Sequence, residues 1–306
     1  MQIRLPSLAR GRPNDVPVLL VREEGVVLQA SIDEAVRAVW RAKRHGMVSS
    51  LSRCPDHQGA RCVIHYHGLP ITPETAAVAA VRGRHAFVSW AHPDQVTTAM
   101  AVCQSFALDN GAFSAWRAGR AVTNWMQYYA WVEAHRVPAL DFAVIPDVID
   151  GSEADNDALV REWPWGQLGA PVWHLHEALQ RLERLASDWP RVCLGSSGEF
   201  ARVGSSRWWD RMAEAVRVVS DARGRPRIRL HGLRMLDARV VSVVPLASAD
   251  STNIARNIGI DSAWRGTYQP ATKEGRAVVI RDRIEMAHAP SSWVAETQGL
   301  LFAGGR

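Results

Sequence analysis

The chain has 306 residues, 47% hydrophobic and 22% charged, which is ordinary for a globular protein and suits one large α/β barrel or two smaller domains. It has no apolar run of transmembrane length and no apolar core of a signal peptide at its start, so a cytoplasmic protein without a membrane partner is expected. Four cysteines argue against a disulfide framework, and the net charge of +5 favours a polyanionic partner without establishing one.

From about residue 84 the sequence alternates short apolar segments with amphipathic stretches. The predicted strands are 85–90, 106–109, 142–147, 171–176, 191–195, 228–232 and 246–250. The predicted helices are 93–103, 124–135, 152–162, 177–188, 206–221 and 235–244. Pro93-Asp94 and Ser206 are the clearest helix-start signals. An eighth strand would come from residues 62–67 or from 25–29.

Strands and helices that alternate at this spacing predict βα units and a parallel sheet. Eight such units would close a (β/α)8 TIM barrel, and an open doubly wound sheet is the alternative. The chain is interpreted as a single domain (1–306) with an N-terminal extension (1–50) and a barrel core (51–260). A C-terminal tail (261–306) with a short strand near 277–281 would pack on the barrel.

Polar residues follow the predicted strands at their carboxyl ends, where TIM barrels carry their active sites. They are Asp109, Asp147 with Asp150, His174 with His176, the run Ser196–Glu199, His231 and Asp250. A single aspartate in this position is usually a turn or cap residue. Several acidic ends on one face are harder to explain that way. Close carboxylates repel and their pKa values separate, which permits one nucleophile and one general acid or base, as in a retaining glycosidase.

The motifs also resemble a family. LDNGAF (108–113) is similar to the D-S-G-G-F segment of tRNA-guanine transglycosylases, and SADSTNIARNIG (248–259) resembles that family's nucleophile segment. VIPDVID (144–150) and CLGSSGEF (193–200) stand, in the family order, where it has a base-reading carboxylate and a base-pocket segment. The similarity extends over about residues 85–260.

The resemblance implies Asp250 as the nucleophile and Asp109 as the acid/base group. The substrate-binding residues it implies are Asp147, His174, Gly195, Ser196, Ser197, Gly198, His231, Asn110, Gly111 and Phe113. Arg256 and Asn253 are the implied nucleic-acid contacts. The base exchange would need no cofactor.

The tRNA enzymes of this family carry a zinc site after the barrel, and this chain has no cysteine beyond Cys193. FVSWAHPDQ…SFALDNGAFSAW (87–116) instead resembles the DNA-modifying branch, the DpdA-like 7-deazaguanine DNA transglycosylases of phages and bacteria. That resemblance implies a pentosyltransferase that flips guanine out of duplex DNA and replaces it with a 7-deazaguanine such as preQ0 or a derivative. The alternatives are tRNA-type RNA modification, a retaining glycoside hydrolase and a non-catalytic nucleic-acid-binding barrel.

A second cluster, CPDHQGARCVIHYH (54–67), offers Cys54, His57, Cys62 and His65 as ligands of a structural zinc ion. The gap between the two pairs is shorter than in zinc fingers. The alternative is a strand with His65 and His67 on one face, His67 then being a pocket residue. Two further interpretations are structural: Trp208-Trp209 pack in a helix, and Cys103 and Cys193 are buried and inert.

Overall fold

The computed structural model describes residues 63–120, 122–259 and 261–293, and the backbone of four short strands before them. These are β1 (Gln2–Arg4), β2 (Val18–Val21), β3 (Val27–Ala30) and β4 (Ala60–Arg61). The chain divides into two compact units, Met1–Asp56 and His57–Arg306. In the first unit, β1, β2 and β3 form an antiparallel sheet. Because β3 is antiparallel and pairs outside the barrel, the suggestion that residues 25–29 supply a barrel strand is wrong.

The second unit is built around parallel strands. They are β5 (Ile64–Leu69), β6 (His85–Ser89), β7 (Ser105–Asp109), β8 (Leu140–Val144), β9 (Gly169–Ala170), β10 (Val172–His174), β11 (Arg191–Gly195), β12 (Arg229–Gly232) and β13 (Ser248–Ser251). Strand β13 pairs with β5, and the sheet runs from β5 through β9 on one side and from β13 back to β10 on the other. Only Pro171, which has no backbone N–H, separates β9 from β10. The nine segments therefore form a nearly closed TIM-type barrel, as predicted.

Helices surround these strands. The described α-helices are α1 (Glu74–Val81), α2 (Val96–Val102), α3 (Ala112–Arg117), α4 (Met126–Ala134), α5 (Glu153–Glu162), α6 (Leu179–Asp188), α7 (Ser206–Val219), α8 (Ala238–Val241), α9 (Asn253–Asn257) and α10 (Lys273–Glu285). Short 3-10 turns cover Gly166–Leu168, Gly198–Phe200 and Asp261–Trp264. Within the described ranges, no helix has both the length and the apolar character needed to cross a bilayer.

Side-chain caps explain where two of the helices begin. Ser152 caps α5 through a reciprocal box with Asp155. Helix α7 is capped by Ser205, whose hydroxyl accepts from the Trp208 backbone N–H at 3.3 Å, and not by the predicted Ser206.

The C-terminal segment differs from the sequence prediction. Residues 277–281 lie inside helix α10, so the predicted short strand is wrong. Helix α10 packs against α1, and Arg281 Nη1 donates to the Ala79 carbonyl at 2.9 Å. Contact with a neighbouring helix outweighs the strand preference of the Val-Val-Ile run. The last described strand, β14 (Ala289–Pro290), pairs antiparallel with β4.

Two layers of apolar side chains hold the barrel. Inside it, Tyr66, Phe87 and Phe142 pack around the fully buried His231, with ring centroids 5.0–5.8 Å from the imidazole. Outside it, Trp208 and Trp209 are 0% and 7% exposed in the layer between strands and helices, which confirms their packing role. Cys103 and Cys193 are buried, as predicted, and burial raises the pKa of Cys193 well above its ordinary value.

Candidate active site

A cavity of about 480 Å³ opens at the carboxyl ends of the barrel strands. Its lining includes the last residues of several strands, among them Leu69, Ser89, Val144 and Gly195. The carboxylates of Asp109, Asp147 and Asp250 line this same space. A space of this volume is within the range of small-molecule and nucleobase sites.

Asp109 is the last residue of β7. Its Oδ2 accepts hydrogen bonds from Ser89 Oγ at 2.7 Å and from the Gly111 backbone N–H at 3.2 Å. Burial raises the pKa of Asp109 to about 6, and the charges of Asp250 and Asp147 act in the same direction. A carboxyl group with this pKa exchanges protons near neutral pH, as a general acid or base must.

The turn after β7 depends on Gly111. This residue has a φ of +75°, and a Cβ there would lie 3.0 Å from the Ala91 backbone nitrogen. Only glycine meets both conditions without strain. Gly111 itself does not line the cavity; it supplies the N–H that holds Asp109.

Asp250 lies in β13 and is only 4% exposed. Its Oδ1 accepts from the Arg234 backbone N–H at 2.8 Å, and His231 Nε2 lies 3.4 Å from the same oxygen. Burial lowers the pKa of His231, so this imidazole is neutral at physiological pH. The backbone N–H of Arg234 thus fixes the orientation of the carboxylate, as a positioned nucleophile requires.

Asp147 follows β8 and is fixed by two neighbours. Its Oδ1 accepts from Asn110 Nδ2 at 2.7 Å, and its Oδ2 lies 2.9 Å from His174 Nε2. Asn110 also donates to the Ile145 carbonyl and accepts from the Ala112 N–H. It is 2% exposed, and both hydrogens of its amide group are donated to protein oxygens. Asn110 therefore supports Asp147, and because it also lines the cavity its predicted contact with substrate stays a prediction.

The segment after β11 carries the other predicted pocket residues. Gly195, Ser196 and Ser197 line the cavity, as does His174. A Cβ on Gly195 would lie 2.9 Å from His174 Nδ1, which explains the glycine. Ser196 accepts from Trp208 Nε1 at 2.9 Å, so its hydroxyl also ties the cavity wall to helix α7.

Arg234 is a cavity residue that the sequence reading missed. It is the one described non-glycine residue with a positive φ, at 58°. Its guanidinium carbon lies 3.4 Å from the centroid of the Phe113 ring, and Nη2 donates to the Ser196 carbonyl at 3.2 Å. Such backbone strain persists where the surrounding structure fixes it, often at functional sites. The only sequence signal was its place three residues after His231 at a strand end.

Exposed cationic side chains surround the cavity. Arg117 on α3, Arg234 and the predicted Arg256 on α9 all line it and are exposed. Phe113, also predicted, lines it between Arg234 and Arg117. Arginine forks suit phosphate oxygens.

Four predicted site residues do not line the cavity. One is Gly111, described above. His231 is buried beneath Asp250, and Gly198 is exposed beside His176 with a φ of +55°. Asn253 donates to the Leu236 carbonyl and lines a neighbouring cavity of about 310 Å³.

Of the proposed zinc ligands, Cys54, His57 and Cys62 lie outside the described residues. His65 Nε2 lies 2.9 Å from the Ala287 carbonyl, and burial lowers the pKa of His65 to about 4. His67 is not a pocket residue, because Nε2 lies 3.0 Å from Glu285 Oε1 on α10. The zinc site stays a prediction.

The fold and the site together define an α/β barrel of TIM type with three carboxylates around one cavity. No protein-family model matches the chain, and neither a curated protein nor a solved structure gives a significant match.

Proposed function

We propose that the protein is a pentosyltransferase that exchanges guanine in DNA for a 7-deazaguanine derivative through a covalent Asp250–deoxyribose intermediate. The observation that carries the proposal is that Asp109 and Asp250 line one cavity at the carboxyl ends of the strands. Had they faced opposite ends of the barrel, no single sugar would reach both. The sequence resemblance supplies the substrate class.

In the first half-reaction a carboxylate oxygen of Asp250 attacks C1′ while the bond from C1′ to the guanine nitrogen breaks. The electron pair of that bond leaves with guanine, and Asp109 supplies the proton. In the second half-reaction Asp109 removes the proton from the incoming 7-deazaguanine, whose nitrogen then displaces Asp250 from C1′. One glycosidic bond breaks and one forms, so the exchange needs no cofactor.

The pKa of Asp109, about 6, supports its part in this scheme. Near neutral pH the group is present in both its acid and its base form, and each half-reaction uses one of them. The hydrogen bond from the Arg234 N–H holds the Asp250 carboxylate in place at the cavity.

Base recognition falls to Asp147. Each of its oxygens has one protein partner in the described structure, from Asn110 and His174. A carboxylate oxygen accepts more than one hydrogen bond, so Asp147 has capacity for the N1–H and amino group of a guanine edge. Duplex DNA with a flipped base would meet Arg117, Arg234 and Arg256 through its phosphates.

The test is incorporation of radiolabelled guanine into duplex DNA. Wild-type protein is expected to transfer label to DNA, and a denatured sample is expected to retain a covalent protein–DNA adduct. Asp250→Asn should abolish the adduct and lower incorporation by about 10⁴-fold, as for loss of a nucleophile. Asp210→Asn, an exposed aspartate on α7, is the matched control and should behave as wild type.

Each alternative has its own outcome. Label in tRNA and not in DNA would indicate that the substrate is RNA. Release of sugar from oligosaccharides would indicate a hydrolase, and DNA binding without turnover would indicate a binding module. An Asp250→Asn variant that still incorporates guanine would overturn the nucleophile assignment.

A further inference from the structure

A chain of hydrogen bonds runs from the cavity to solvent. Asp147 Oδ2 lies 2.9 Å from His174 Nε2, and His174 Nδ1 lies 3.3 Å from Ser197 Oγ. Ser197 Oγ in turn lies 2.9 Å from His176 Nδ1. The first three residues are at most 6% exposed and line the cavity, whereas His176 is exposed and does not line it.

The partners of the chain fix the direction of its hydrogen bonds. An ionised Asp147 only accepts, so His174 carries its proton on Nε2 and donates it there. His174 Nδ1 is then an acceptor, which takes the hydroxyl proton of Ser197. The Ser197 oxygen is left to accept from His176 Nδ1–H. Every link thus has one donor and one acceptor, which is the condition for passing a proton along the chain.

The local backbone is shaped around these links. Gly195 leaves room for the His174 ring, since a Cβ there would lie 2.9 Å from Nδ1. The rings of His174 and His176 are stacked at 5.6 Å with an interplanar angle of 19°, so both turn an Nδ1 toward the single Ser197 hydroxyl. A purely structural support for Asp147 needs only His174.

We propose that His176, Ser197 and His174 form a proton relay between solvent and Asp147. A hydronium ion in the solvent protonates His176 at Nε2 and is left as water, while Nδ1–H passes to Ser197 Oγ. The Ser197 proton moves to His174 Nδ1, and His174 Nε2–H moves to Asp147 Oδ2. One proton enters and one arrives, and the reverse passage restores every group to its starting form.

The use of the relay in catalysis rests on the proposed function. When the glycosidic bond breaks, the departing base carries negative charge beside the Asp147 carboxylate until Asp109 protonates it. A proton delivered to Asp147 removes that like-charge repulsion. The incoming base carries the same charge once Asp109 has removed its proton, and it loses that charge as its nitrogen bonds to C1′. The proton on Asp147 then returns to solvent, so over the two half-reactions the relay runs once in each direction.

The relay is tested in the free protein, without substrate. The measurement is the rate at which the His174 Nε2 proton exchanges with water, by NMR of protein labelled with ¹⁵N-histidine. Ser197→Ala should slow this exchange by about tenfold, as for loss of one hydrogen bond in the transfer step. His176→Asn should slow it similarly, because the amide still donates to Ser197 but does not relay a proton. Ser197→Thr, which keeps the hydroxyl, should restore the wild-type rate.

If the network is static, Ser197→Ala should not slow the exchange of the His174 Nε2 proton. If Ser197 only braces His174, its removal loosens the site, and the buried proton exchanges at the same rate or faster; that result overturns the relay. Ser196→Ala is the control for local loosening, because its hydroxyl lies on the same segment but bonds Trp208, and it should not slow the exchange. The relay and the base-exchange proposal fail independently, since one is measured without DNA and the other by incorporation of guanine.

Discussion

The two ends of the barrel treat their carboxylates differently. Near the amino ends of the strands, Asp141 Oδ2 accepts from Tyr66 Oη at 2.6 Å and from Arg191 Nη2 at 2.8 Å. The Arg191 guanidinium carbon also lies 4.1 Å from the centroid of the Phe142 ring. Burial and the nearby Asp141 raise the pKa of Tyr66 well above its ordinary value, which keeps Tyr66 a donor. The charge at this end is paired and enclosed.

At the carboxyl ends, Glu177 beyond β10 is paired with Arg181 at 2.7 Å, but in the described structure the two candidate catalytic aspartates have no arginine partner. Asp109 and Asp250 accept hydrogen bonds from Ser89 and from backbone N–H groups, and none from an arginine side chain. The same kind of residue is thus paired with an arginine at one end and, under the proposed function, left available for chemistry at the other. Variants at the two ends should separate these roles.

Removing the cation at the amino end should have the largest effect on stability. Arg191→Met leaves Asp141 without its ion pair and is expected to lower the free energy of unfolding by about 3–5 kcal/mol, measured by urea denaturation. Guanine incorporation per folded molecule should not change. The double variant Arg191→Met/Asp141→Asn removes both charges and should regain most of the loss. A double variant as unstable as Arg191→Met alone would show that packing, not the charge pair, carries the effect.

At the carboxyl end, removing a charge should raise the free energy of unfolding instead of lowering it. Because the folded protein raises the pKa of Asp109 from 3.8 to about 6, it holds this proton more tightly than the unfolded chain does. The contribution to stability is fully present below about pH 4 and is lost as the pH rises through about 6, at a cost on the order of 2–3 kcal/mol. Asp109→Asn should therefore be more stable than wild type at about pH 8 and similar at about pH 4.

The measurement is denaturation of both proteins across this pH range. A wild-type stability that varies with pH in the same way as that of Asp109→Asn would mean that the Asp109 carboxyl has its ordinary pKa. The same raised pKa predicts that release of guanine, which uses the acid form of Asp109, slows as the pH rises above about 6.

Sequence patterns predicted the barrel because each strand has an apolar run and a polar end, as in SFALD (105–109). They located Asp109, Asp147 and Asp250 for the same reason. Helix α1 was missed, since its buried Ala-rich sequence lacks a polar face to give a helical period. Residues 277–281 were taken as a strand because β-branched residues were weighed without knowledge of the contact with α1.

Within the site, the errors have a common physical origin. Sequence position indicates that a residue ends a strand, but not which way the chain turns next. Arg234 reaches the cavity through a left-handed backbone conformation that no sequence motif predicts. His231 points into the barrel beneath Asp250 and is fully buried. The alternative to the zinc site made His67 a pocket residue, whereas its Nε2 lies 3.0 Å from Oε1 of Glu285, 218 residues further along the chain. Such pairings depend on long-range packing.

The smallest effect is expected when a single exposed arginine is replaced. The effect of such a variant on DNA binding also distinguishes the two ends of the barrel. Arg256 lines the cavity, whereas Arg223 is exposed in the loop before β12, at the amino end. Arg256→Gln and Arg223→Gln each remove one positive charge, so their effects on net charge are matched. If DNA lies over the carboxyl end, only Arg256→Gln should weaken duplex binding, by about 1 kcal/mol, and reduce the slope of log K against log salt by about one. Equal losses in the two variants would mean that DNA responds to total charge and not to this face of the barrel.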